Sequence, residues 1–153
     1  MQPRIKIGLI VGGAGLLLNI CVAALIGFCG PFVALMAGAI AGFITANQEQ
    51  LPTKNDGARA GAISGLVAGA LILAGQLIGG ISILLYLQTT GTPTLFGAPP
   101  NQFASGVEQT AYYAAGLGVG VCFGLAGLGM SALAGAFTGY LGTSPHTDAV
   151  QAG

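Results

Sequence analysis

The sequence predicts an all-α membrane protein, a four-transmembrane-helix bundle, and three observations carry that prediction. Only 5% of the 153 residues are charged and 54% are hydrophobic, whereas about a quarter of an ordinary soluble domain is charged. Four apolar runs reach or approach the roughly 20 residues that a helix needs to cross hydrocarbon. Small residues recur along those runs at four-residue spacing, a pattern through which helices pack closely in lipid.

The first helix is expected over about 5–28, from the basic start "PRIK" through an apolar run. That run is longer than the core of a secretory signal, and a second apolar segment follows almost at once, so it reads as an uncleaved span. Ile20 and Phe28 precede Cys21 and Cys29, where a lipoprotein site would want a small residue; no covalent lipid is expected. The second helix, about 31–47, begins at the corner "CGPF". There Gly30 and Pro31 break the preceding helix, and proline suits the first turn of the next. The third helix is expected over about 58–87, after the polar link "NQEQLPTKNDGAR", and the fourth over about 110–142. Both are long enough to tilt or to project from the bilayer. Between them lies an outer loop, about 88–109, and a polar tail follows over 143–153. All of this forms one membrane domain.

The charges orient the chain. Arg4 and Lys6 precede the first helix, and Lys54 and Arg59 lie at the link between the second and third, while the 88–109 loop has no Lys or Arg. The positive-inside rule then puts both termini and the 48–57 link in the cytoplasm, with a prokaryotic cytoplasmic membrane as the expected location. "ALMAGAIAGFIT" at 34–45 aligns with "SALAGAFTGYLG" at 131–142, each closing a hairpin on the basic side. That repeat is consistent with two parallel helical hairpins, although Ala/Gly-rich sequence also aligns by chance.

In water, glycine inside a helix costs roughly 1 kcal/mol relative to alanine, so a ladder of glycines requires an offsetting gain. The third helix carries Gly57, Gly61, Gly65 and Gly69; the fourth carries Gly116, Gly120 and Gly124, then Gly127, Ser131, Gly135 and Gly139; the second carries Ala34, Gly38, Gly42 and Ala46. Lipid tails give helices no hydrophobic drive to associate, so close backbone approach replaces it. These residues are the expected helix-packing positions, facing either the bundle interior or a partner subunit.

Chemistry is sparse. Glu49, Asp56, Glu108 and Asp148 all fall in links or tails, which argues against proton relays and coupled pumps. The one histidine, His146, sits in the polar tail, so no imidazole lies within a span to hold haem, chlorophyll or a metal, and no cofactor is expected. Cys21, Cys29 and Cys122 show no metal spacing and read as small buried residues. "GLGVGVCFGLAGLG" at 116–129 lacks the spacing and setting of a dinucleotide fingerprint. It also lacks the intramembrane carboxylate that the similar glycine-rich helix of ATP-synthase rotor subunits requires.

Zero net charge offers no overall field to gather nucleic acid or anionic lipid. The polar side chains to explain within the spans are Asn19 and Gln76, either as interhelical hydrogen-bond glue or as the lining of a narrow solute path. Tyr86, Tyr112, Tyr113 and Tyr140 lie near span ends, as interfacial anchors do.

"CGPFVALMAGAIAGF" followed by "DGARAGAISGLVAG" resembles the small glycine-rich polytopic membrane proteins of prokaryotes whose function is unknown. The resemblance is compositional, spans about residues 5–85, and implies a small helical membrane domain with no functional residue to carry over. In outline, four glycine-laddered spans are also similar to the mitochondrial inner-membrane protein-translocase channel family, without a diagnostic motif of it. The function expected is therefore non-catalytic: an accessory subunit that packs by its glycine faces in a larger membrane assembly, such as a respiratory or photosynthetic electron-transfer complex. The alternative is a homo-oligomeric pore for a small neutral solute. Expected partners are other membrane subunits, or copies of itself, and lipids.

Overall fold

Four helices form where the apolar runs lie: α1 (Pro3–Ala23), α2 (Gly30–Glu49), α3 (Lys54–Thr90) and α4 (Gly106–Gly142). This computed structural model describes residues 2–23, 30–90 and 105–143. The expected end of the first helix at 24–28, most of the outer loop and most of the tail, with Cys29, His146 and Asp148, lie outside the described residues.

Local chemistry sets the helix ends. Gly30 and Pro31 open α2, the positions where a missing amide hydrogen costs nothing. At its other end Gln50 adopts φ 43°, the left-handed conformation that turns a chain out of a helix. Thr53 then caps α3: its Oγ1 accepts from the Asp56 amide at 3.2 Å and donates to the Asp56 carboxylate at 2.6 Å. In the same way the Ser105 side chain accepts from the Glu108 amide at 3.4 Å and opens α4.

These caps correct the expected boundaries. Helix α3 starts at Lys54 rather than 58 and runs to Thr90, and α4 starts at Gly106 rather than 110, so both ends of the expected 88–109 loop are helical. A helix ends where its capping runs out, not where its apolar residues do. Thr89 and Thr90 illustrate this, since each donates its hydroxyl to the Tyr86 carbonyl at 2.9 Å and so stays within the helix.

The hairpins α1–α2 and α3–α4 are antiparallel, while α1 runs parallel to α3 and α2 parallel to α4. Gly8, Gly12 and Gly15 of α1 face Ser64, Ala68 and Ile72 of α3 in rising order. Gly38 and Gly42 of α2 face Ser131 and Gly135 of α4 in the same sense. Helices α2 and α3 touch each other and both neighbours, which leaves α1 and α4 at the distant corners. All the charged residues of the first three helices gather at one end: Arg4 pairs with Glu49 at 3.4 Å, and the Lys54 ammonium lies 5.2 Å above the Tyr140 ring.

The interior is sorted by size. Among the described residues, apart from Ile7 and Ile72, the buried hydrophobic ones are alanines, while Leu17, Phe32, Met36, Leu133 and Phe137 point outward. A soluble protein would bury the large side chains, because removing their area from water drives its folding. In lipid that gain is absent, and small residues inside allow backbones to meet.

The helices are unequal in length. At 1.5 Å per residue, α1 and α2 span about 30 Å, the thickness of the hydrocarbon core, and α3 and α4 about 55 Å. Gly30, at the start of α2, sits beside Gln76 of α3, and Pro31 beside Gly127 of α4. The stretch of α3 from Gln76 to Thr90 and that of α4 from Gly106 to Gly127 therefore run on past the start of α2, by about 20 Å and about 30 Å.

Candidate functional site

Two kinds of surface distinguish this bundle: a glycine junction inside it and an open glycine face outside it. Inside, α4 lies between α2 and α3 on residues without side chains. A methyl group added at Gly61 would overlap the Gly135 carbonyl, one at Gly135 the Gly61 carbonyl, and one at Gly42 again the Gly135 carbonyl. Gly57 meets Gly139 and Thr143, Gly38 and Gly65 meet the Ser131 backbone, and Gly69 meets the Ser131 side chain. At Gly135 two helices approach one residue from different sides. Only glycine allows this, and the approach sets carbonyl oxygens against Cα–H groups for weak contacts of about 0.5–1 kcal/mol each.

Hydroxyls lock the same junction. Ser131 Oγ, fully buried, donates to the Gly65 carbonyl at 2.8 Å, and Thr138 Oγ1 shares its one hydrogen between the Ala39 carbonyl at 2.8 Å and the Ala134 carbonyl of its own helix at 2.9 Å. The bonds to Gly65 and Ala39 tie α4 to α3 and to α2. Ser64 satisfies itself on its own helix, donating to the Gly61 carbonyl at 3.0 Å. Ser131 lies on the four-residue ladder, whereas Thr138 lies off it, so that spacing does not reveal the part Thr138 plays at the junction.

The two amides take different places. Asn19 is completely buried, and its Nδ2 donates to the Ile72 carbonyl at 3.1 Å, joining α1 to α3. Gln76, one turn further along α3, is half-buried, with its amide group against Gly30 of α2 and its Oε1 towards Gly124 of α4. A Cβ at Gly30 would stand 2.7 Å from Gln76 Oε1. The amides thus lie along different helix contacts of α3.

Outside, the glycine ladder of α4 continues with no neighbour among the described residues. Around Gly116, Gly118 and Gly120 no described residue lies within 4 Å of where a side chain would begin. Gly124 is the crossover, since a Cβ there would meet the Leu73 side chain. Among the described residues, then, Gly116 and Gly120 take no part in packing, while the rest of that ladder does. Exposed Leu117, Val119, Val121 and Phe123 surround them, and exposed Ile78, Ile81 and Leu85 line the neighbouring end of α3. Cys122, expected to be buried, is exposed on this stretch. An apolar thiol suits a lipid-facing surface as well as it suits an interior, so composition alone did not distinguish the two.

Among the described residues no group of His, Cys, Asp and Glu could hold a metal ion. Fold and surfaces together define an integral membrane protein with four membrane-spanning helices. Compared with known protein families, with curated proteins and with solved structures, the chain matches none of them.

Proposed function

We propose that this protein is a non-catalytic accessory subunit of a larger membrane complex, and that it docks through the outer glycine face of α4. The carrying observation is the open stretch at Gly116, Gly118 and Gly120. A glycine facing lipid keeps its helix penalty of roughly 1 kcal/mol and gains nothing in return. A helix of another subunit laid on this face would offset that penalty, as α2 and α3 do further along the same helix. The projecting ends of α3 and α4 add an apolar wall that such a subunit would cover. In this reading the basic end, with both termini, faces the cytoplasm of a prokaryotic cell.

The solute-path alternative draws on Asn19 and Gln76. Asn19 Oδ1 is buried without a hydrogen-bond partner, a feature that a water-lined path would explain. Against it, the Asn19 amide is turned to Ile72 and the Gln76 amide to Gly30, which favours helix glue. Liposome flux that is unchanged by Asn19→Leu together with Gln76→Leu would dispose of the path.

The test of the main reading is native-gel migration after mild detergent extraction, with mass spectrometry of whatever travels with the chain. Other membrane subunits should comigrate with the parent protein and be lost from a Gly116→Leu/Gly120→Leu variant. Gly13→Leu, on an open face of α1, should behave as the parent. A stable particle containing no other polypeptide would overturn the proposal and bring the pore reading forward.

A further inference from the structure

A second surface feature lies between α1 and α2. Helices α1 and α2 are splayed, and between them runs an apolar groove of about 670 Å³. Its walls are Ile10, Ala14 and Leu18 on α1 and Phe32, Met36 and Ile40 on α2. All six are exposed, so the groove opens away from the bundle. The floor is formed by smaller or shorter side chains, among them Val11, Val33 and Ala37. Each wall covers eight residue steps, about 12 Å of helix axis.

The basic end of this groove carries a cation. Lys6 is exposed one turn before Ile10, at the start of the row Lys6, Ile10, Ala14, Leu18 that forms the α1 wall. The other basic residue on α1, Arg4, is held by Glu49: its side chain pairs with the carboxylate at 3.4 Å, and its amide donates to Glu49 Oε1 at 3.1 Å. That pairing cancels one positive charge and leaves Lys6 as the net charge at the mouth. Gln48, exposed two turns beyond Ile40 on α2, adds an uncharged polar side chain at the same end.

From this juxtaposition we infer that the α1–α2 groove binds an anionic phospholipid, one acyl chain along the groove and the headgroup phosphate at Lys6. The walls supply about 12 Å of apolar contact to one acyl chain, and Lys6 supplies the charge that a zwitterionic lipid matches less well. The inference is independent of the accessory-subunit reading, which concerns α4.

The experiment is native mass spectrometry of the full-length protein in detergent, titrated with phosphatidylglycerol or with phosphatidylcholine of the same acyl chains. A lysine near the membrane surface attracts anionic lipid by about 1 kcal/mol, so a preference of about fivefold for phosphatidylglycerol is expected. Lys6→Gln should remove the preference, and Ala14→Trp, which fills the groove from an exposed position, should reduce retention of both lipids. Lys54→Gln, at the same end of the bundle but over Tyr140, should leave both unchanged. Unchanged thermal midpoints establish that Lys6→Gln and Ala14→Trp are folded. Equal retention of the two lipids by the parent, parent-like behaviour of either groove variant, or an equal loss of preference in Lys54→Gln would overturn the inference.

Discussion

Gly135 shows at the scale of one residue how this chain exchanges side chains for proximity. Its Cα faces the Gly61 carbonyl on one side, and the Gly38 carbonyl would lie 3.1 Å from an added methyl on the other. Gly135→Ala is therefore expected to destabilise the bundle by about 1–3 kcal/mol, the usual range for an overpacked interior. The same change at Gly13, where nothing lies within 4 Å, should be neutral or stabilising by up to about 1 kcal/mol. Thermal unfolding of both variants in one detergent measures the contrast, and equal midpoints would refute it. Asn19→Leu, which removes the bond to the Ile72 carbonyl, should cost about 0.6–2 kcal/mol by the same assay. At this scale the sequence is legible only in part. The spacing of Gly116 and Gly120 is the same as that of Gly135 and Gly139, yet the first pair meets no described residue and the second faces backbone. Spacing defines a stripe along a helix, but what the stripe meets depends on where the neighbouring helices start and stop.

The elements were easier to read than their ends. Uninterrupted apolar runs, with Gly30–Pro31 as a break, mark four helices because a span must satisfy its own backbone in hydrocarbon. The boundaries of α3 and α4 escaped the apolar pattern, since Thr53 and Ser105 place helix starts among polar residues. Both carry the signature of a hydroxyl followed three residues later by an acid, and that signal was present in "TKND" and "SGVE". Thr53→Ala should accordingly fray the first turn of α3 and cost about 0.5–2 kcal/mol. Amide hydrogen exchange should show the loss locally, at residues 54–57. An effect spread evenly over α3 would mean that Thr53 does not act as a cap.

At the scale of the whole molecule, the clustering of charge at one end was visible in the sequence, because Arg4, Glu49, Lys54 and Asp56 all lie at helix ends that two hairpins bring together. The projection of α3 and α4 was visible only as excess length. Which end extends past α1 and α2 depends on the contacts of Gly30 with Gln76 and of Pro31 with Gly127, pairs far apart in the chain. That offset produces the free stretch of α4 on which the account of function rests. The most direct test is native-gel comigration of the parent and of Gly116→Leu/Gly120→Leu, with both thermal midpoints recorded. The variant should be as stable as the parent but travel alone, while the parent travels with other membrane subunits. Identical migration of the two, with no other polypeptide in either band, would contradict it.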